Sequence, residues 1–297
     1  MSINNGTATL SLAQQSPYNY IPSEGVAITM LVLFGVSTLV HSAQAVKYGV
    51  LWLVPTACLC GVIELLGWAG RLWSSFSPLL STPFQIEITC TIVAPTPLLA
   101  ANFVILGNVI KRLGPAYSRL SPKWYTIIFT SCDVISLVVQ GLGGGIAASA
   151  SDLQGANNGA HIMLGGIVFQ LVVIVLYSIL AAEYFFRYHH DSPIGYRTAN
   201  AAPAENGDRR GVFTFKLKAM SCALVFSTTV LFIRAVYRTI ELADGWKGRI
   251  ISNQLYFNVL DGAMVILAMY TMNFINPGIF LAPPTHVEDK EKEVASL

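Results

Sequence analysis

Long apolar runs, separated by short polar or glycine- and proline-rich joints, set the pattern of this chain. A helix needs about 20 mainly apolar residues to cross the hydrocarbon core of a bilayer. Seven segments meet that length, over 25–46, 50–70, 84–110, 124–149, 161–186, 217–240 and 252–276. The pattern predicts an all-α, polytopic membrane protein, a seven-transmembrane helix bundle over 25–276. It leaves an N-terminal tail, 1–24, and a charged tail, 277–297. Two runs carry breakers, "IVAPTPLLAANF" in the third and "QGLGGGIAASA" at the end of the fourth. Such breaks survive in a membrane where neighbouring helices or water satisfy the freed backbone. The fourth is read as a kinked span end whose Gly141, Gly143, Gly144 and Gly145 permit close helix approach.

Composition agrees with that reading. Hydrophobic residues make up 54% of the 297 and charged residues 11%, against about 25% charged in soluble domains. Mean hydropathy is +0.57. The net charge of +2 carries no nucleic-acid signal, because the basic residues are scattered along span-flanking loops. Their distribution does set an orientation. Lys47, Lys111, Arg112, Arg119, Lys123, Arg187, Arg197, Arg209, Arg210, Lys216, Lys218, Lys290 and Lys292 fall on one side. Only Arg71, Lys247 and Arg249 fall on the other, and the first 23 residues hold no Lys or Arg. The positive-inside rule then places the N-terminus outside and the C-terminus in the cytoplasm. The sequon Asn5-Gly6-Thr7 lies on the side where Asn5 can be glycosylated. The N-terminus shows no basic stretch followed by an apolar core, so the first span is expected to act as the targeting signal. "HHDSPIGYRTANAAPAENGDRR" reads as a flexible cytoplasmic linker and "HVEDKEKEVASL" as a disordered tail. Cys58, Cys60, Cys90, Cys132 and Cys222 all lie in apolar runs and are read as small core residues rather than disulfides.

The candidate chemistry is the charge carried at membrane depth. An ionisable residue inside a span is costly and marks a functional-site hypothesis with a partner to be named. The set is Glu64, Arg71, Glu87, Asp133, Gln140, Arg234, Arg238, Glu241 and Asp261. In the sixth span, residues 219–233 give about 22 Å of uninterrupted apolar helix, short of the roughly 30 Å core. Arg234 is therefore expected below the outer surface, while Arg238 and Glu241 are expected to mark the interface. Asp133 and Asp261 come out nearer the midplane. Two readings stand: ion-paired staples that hold the helices in register, or a polar cavity opening toward the outer leaflet. The cavity accounts for several polar stripes at once.

Catalytic motifs are scarce. His41 and His161 are the only histidines in or at the spans and belong to no zinc pattern. The pair His189–His190 reads as a polar helix end. No GxSxG, Walker A or GxGxxG in a strand–helix context occurs, so no metal, cofactor or catalytic residue is expected. A carboxylate pair such as Glu64 with Asp133 stays open as an acid–base arrangement.

"ELLGWAGR" in the second span resembles the Glu-x-x-Gly-aromatic-x-x-Arg signature of the fungal RTA-like proteins, the aminocholesterol-resistance or lipid-translocating exporter family. The resemblance continues through "FQIEITCTIVAPTPLLAANFVILGNVIKRLG", "FTSCDVISLVVQGLGGG", "IRAVYRTIELADGWKG" and "NQLYFNVLDGAMV", from about residue 18 to 278. Gln254 departs from the pattern where a Glu is usual, and Trp68 stands where Tyr is commoner. The resemblance implies a fungal protein of the plasma membrane or other endomembranes that exports or translocates amphipathic lipids, sphingoid long-chain bases or sterol-like toxicants, and confers resistance. Its partners would be membrane lipids, cationic amphiphiles above all, with carboxylates such as Glu64, Glu87 and Asp261 holding the ammonium. Two other classes remain. A seven-span lipid sensor or receptor fits the same topology, although no DRY- or NPxxY-like element is present. An intramembrane lipid-modifying enzyme would use the buried acids.

Overall fold

The computed structural model describes residues 12–150, 152–194, 211–245 and 248–282. Among them lie seven helices long and apolar enough to cross a membrane: α1 (Glu24–Lys47), α2 (Leu51–Phe76), α3 (Ser81–Leu113), α4 (Pro122–Ser149), α5 (Gln154–His189), α6 (Phe215–Ala243) and α7 (Gln254–Phe280). The described residues form an all-helical bundle. Asn5, the middle of the linker after α5 and the tail beyond residue 282 lie outside the described residues.

The sorting of side chains fits a lipid solvent. Leu39, Val46, Val138, Leu142, Ile179 and Phe274 stand exposed on the outside, where lipid tails are as apolar as they are. The second half of α3 runs through the centre, with Leu98, Phe103, Leu106, Val109 and Leu113 fully buried. All five cysteines are free; Cys58 and Cys60 are buried, Cys90 and Cys132 half-buried, and Cys222 is exposed. Cys132 packs against the core from its edge and Cys90 lies beside Gly67 of α2, so only Cys222 turns outward.

The breakers act unequally. In α3 the helix is interrupted at Ala94, where Pro95 brings no backbone N–H. Pro55 lies in a π-helical turn, Val54–Cys58, near the start of α2. The glycine run does not interrupt its span: α4 continues through it to Ser149. Of the four glycines, only Gly143 serves close approach. A Cβ there would lie 2.4 Å from the Met163 nitrogen, whereas Gly141 and Gly145 have nothing within 4 Å. Gly159 answers from α5, its own Cβ falling 2.3 Å from the Ala147 nitrogen. The α4 and α5 backbones therefore touch at this point. A helix with one lipid-facing side has no use for small residues there, which is why the exposed Gly141 and Gly145 are idle.

Candidate functional site

Close packing of α2 on α3 assembles the first half of the polar interior. A Cβ at Gly67 would meet Thr91 Cγ2 at 2.8 Å, and one at Gly70 would meet the Pro83 carbonyl oxygen at 2.9 Å. With both absent, the helices close and Arg71 Nη1 reaches Glu87 Oε1 at 2.6 Å. The segment before α1 folds back onto this pair. Tyr20 Oη accepts from Arg71 Nη2 at 3.0 Å. The Tyr18 hydroxyl donates to Glu87 Oε2 and sits 2.9 Å from Ser74 Oγ. Tyr18 is only 3% exposed, so residues read as part of an extracellular tail belong to the packed interior. Burial pushes the Tyr20 phenol up to about 12, with the nearby Arg71 guanidinium pulling the other way.

Helices α6 and α7 supply the second half. Asp261 lies in a π-helical turn, Asn258–Ala263, a feature that interrupts α-helices frequently at functional sites. Its carboxylate takes a bidentate pair from Arg238, Nε and Nη2 each at 2.8 Å. Arg234 Nε stands 2.8 Å from Asp261 Oδ1, and its Nη2 donates to the Thr91 carbonyl. Arg238 also donates to Glu241 Oε2 and to Thr91 Oγ1, each at 2.7 Å. Tyr237 donates to the other Glu241 oxygen at 2.7 Å. The Phe257 ring is flanked by two guanidiniums, 4.5 Å from Arg71 Cζ and 5.0 Å from Arg238 Cζ.

The expectation for Arg234 therefore acquires its partner, Asp261. Arg238 and Glu241, expected to mark the interface, are packed inside the bundle, each only 1% exposed. Phe257, Thr91 and the first turns of α7 close over them, and a depth counted along one helix cannot register that cover. Three arginines are thus matched by Glu87, Asp261 and Glu241. Glu64 is the fourth carboxylate: fully buried and within electrostatic reach of Arg234, Arg238 and Asp261, yet without a hydrogen bond. The Trp68 indole N–H faces it from one turn along α2 without reaching hydrogen-bond geometry. Gln254, at the first turn of α7 beside the Asn253 cap, takes no part in the ion pairs. An ammonium consequently finds Glu87 and Asp261 already neutralised.

Asp133 and Gln140 belong elsewhere. Asp133 is buried with both oxygens unpartnered and shares no contact of this kind with Glu64, so the acid–base pair is not assembled. Gln140 heads a chain of neutral bonds between α4, α5 and α3. Its Nε2 donates to Ser136 Oγ at 2.6 Å and to Gln170 Oε1 at 3.2 Å, while Gln170 Nε2 donates to Thr96 Oγ1 at 2.9 Å. A Cβ at Gly166 would strike Gln140 Cγ at 2.7 Å, so that glycine admits the amide.

Two cavities lie along this seam between the α4–α5 pair and α3. One, at mid-length, has about 20 Å³, room for a single water-sized group, and is lined by Pro95, Leu99, Gln140, Gln170, Arg234 and Arg238 among others. The second, toward the Ser81 end, has about 210 Å³ and is lined by Pro17, Phe84, Gly144, Ala147, Ala148 and Met163 among others. A satellite apolar cluster of Ile88, Ile92, Met163, Ile167 and Leu242 joins the walls of both. Sequence reading missed Tyr18, Tyr20, Thr91, Phe257 and Gln170. The tyrosine pair beside charged span ends was a signal; Thr91 and Phe257 look like any apolar-run residue. His41 is buried, with Nε2 3.1 Å from the Met269 carbonyl oxygen and Nδ1 unpartnered. Among the described residues no group of three His, Cys, Asp or Glu is arranged to hold a metal ion.

Comparison with known proteins gives a consistent match. Residues 57–283 match the family described as RTA1 like protein. The Saccharomyces cerevisiae protein named sphingoid long-chain base transporter RSB1 is 27% identical over 281 residues, covering 87% of this chain and 72% of the relative. Protein RTA1 of the same yeast is 26% identical over 275 residues, covering 84% and 81%. Protein RTM1 is 24% identical over 291 residues, covering 84% and 88%. No solved structure matches the chain.

Proposed function

The chain belongs to the RTA1-like family, and from that premise we propose that it exports or translocates amphipathic lipids, conferring resistance to sphingoid long-chain bases or sterol-like toxicants. The observation that carries this reading is the seam. It combines an apolar cavity of about 210 Å³ at one end with a polar pocket at mid-length. For comparison, an apolar protein cavity of about 150 Å³ already admits benzene, so the larger one has room for part of an alkyl chain. A polar head crossing a bilayer meets its highest desolvation cost in the hydrocarbon core, and the amides and guanidiniums lining the mid-length pocket reduce it. The relative named as a sphingoid long-chain base transporter supports the substrate class.

In this reading the ion-paired block of α2, α3, α6 and α7 is the scaffold beside which the lipid moves. The basic-residue asymmetry supports an N-outside, C-cytoplasmic orientation, which puts the larger cavity in the outer leaflet. The test is flux of a labelled sphingoid long-chain base in proteoliposomes. Protein-dependent flux is expected; a rate equal to that of empty liposomes sinks the proposal.

A further inference from the structure

We infer that the mid-length pocket of the seam is a hydroxyl-recognition site, at which Gln140 accepts from a lipid hydroxyl and Arg234 donates to it. The inference rests on the lipid-translocation reading and names the group of the substrate that this site selects.

Gln140 Nε2 points at two oxygens, Ser136 Oγ and Gln170 Oε1. Ser136 spends its own hydrogen on the Gly166 carbonyl at 2.6 Å, and an amide oxygen has none to give. The nitrogen of Gln140 must therefore occupy that side, and its oxygen must face the other way. That oxygen is buried and has no partner, although the residue is only 2% exposed and lines the cavity. A buried acceptor left unmade carries a desolvation penalty, so the pocket is built for a donor.

Across the pocket stands Arg234. Its Nη2 donates to the Thr91 carbonyl, and its Nε lies 2.8 Å from Asp261 Oδ1 without a hydrogen bond, so the guanidinium, with five N–H donors, keeps donors to spare. The cavity of about 20 Å³ is thus lined by a residue with an unused acceptor, Gln140, and by guanidinium donors, in the space of one water. A hydroxyl satisfies both, giving its hydrogen to Gln140 and accepting from the guanidinium. An ammonium has no lone pair for Arg234 and would lie beside a positive charge. Sphingoid bases and sterols differ in shape and charge, but both carry hydroxyls. A site that reads the hydroxyl serves both classes.

The experiment compares three labelled substrates in proteoliposomes: a long-chain base, its O-methylated analogue, and an N-methylated analogue that keeps its hydroxyls. The wild-type protein should move the O-methylated compound about tenfold more slowly than the parent, the size of effect expected for one buried hydrogen bond to a charged or amide group. N-methylation should leave the rate within about twofold. Gln140→Leu should slow the parent to the rate of its O-methylated analogue. Equal wild-type rates for parent and O-methylated analogue would show that the pocket holds water only, and overturn the inference while lipid translocation stands. If Gln140→Leu does not fold, the wild-type protein decides by photolabelling. A diazirine beside the substrate hydroxyl should mark α4 or α5 within a turn of Gln140 or Gln170, and marking confined to other helices overturns the site. Absence of wild-type flux above empty liposomes removes the translocation reading itself, and this site with it.

Discussion

Asp261 pairs with two guanidiniums at once, while Glu64 faces the same two without a hydrogen bond. Replacing Asp261 with Asn keeps the shape but leaves Arg234 without an ion-pair contact and Arg238 with Glu241 alone. Removing one partner of a buried ion pair typically costs about 3–5 kcal/mol, because the other charge stays buried. Asp261→Asn is therefore expected to lower unfolding stability in detergent by about that amount, read by thermal unfolding with intrinsic fluorescence. Glu64→Gln should shift unfolding by clearly less than Asp261→Asn, since no hydrogen bond is lost. Equal destabilisation by both variants would mean that the described pairing is wrong. The sequence made these residues conspicuous, because charge in an apolar run is rare. It did not reveal their partners. Arg238 and Glu241 looked interfacial because depth was counted along α6 alone, while their cover comes from Phe257 and Thr91 on other helices. Nothing local to "IRAVYRTIE" encodes that cover.

At the scale of elements, seven spans were legible because twenty-residue apolar runs have few alternative explanations. The α3 interruption was also legible, since Pro95 acts through its own backbone. The glycine run was not, because a glycine's role depends on what faces it. Gly143 meets the α5 backbone, and Gly145, two residues on, meets open space. This separates two otherwise similar substitutions. Gly143→Ala forces backbones apart and is expected to destabilise by about 1–3 kcal/mol, the usual range for overpacking. Gly145→Ala adds a methyl group to the exterior and should be neutral or stabilising by up to about 1 kcal/mol, because Ala is the better helix former. Urea or thermal unfolding of the two purified variants side by side checks the contrast. A reversed order would place the α4–α5 contact elsewhere on the helix.

For the whole molecule, the kinds of bond across each interface indicate where it can separate. Within the block of α2, α3, α6 and α7 the ties are buried ion pairs, Arg71–Glu87 and Arg238–Asp261 among them. Across the seam they are neutral: Gln170 to Thr96 at 2.9 Å and the Tyr177 hydroxyl to the Asn102 carbonyl at 3.1 Å. Breaking a neutral hydrogen bond costs about 0.5–1.5 kcal/mol net, well below the cost of separating a buried ion pair. The first half of α3 also packs on α4 far less than its second half does, and that is where the larger cavity lies. A passage for lipid is therefore expected to widen between Ile88 on α3 and Met163 on α5, two members of the satellite cluster. In a background lacking Cys58, Cys60, Cys90, Cys132 and Cys222, the pair Ile88→Cys and Met163→Cys would bridge this gap through a short thiol cross-linker. Cross-linking should stop long-chain base flux in proteoliposomes, and a cleavable linker should restore it on reduction. Undiminished flux through the cross-linked protein would move the passage off the seam, to a face where helices can part without breaking an ion pair.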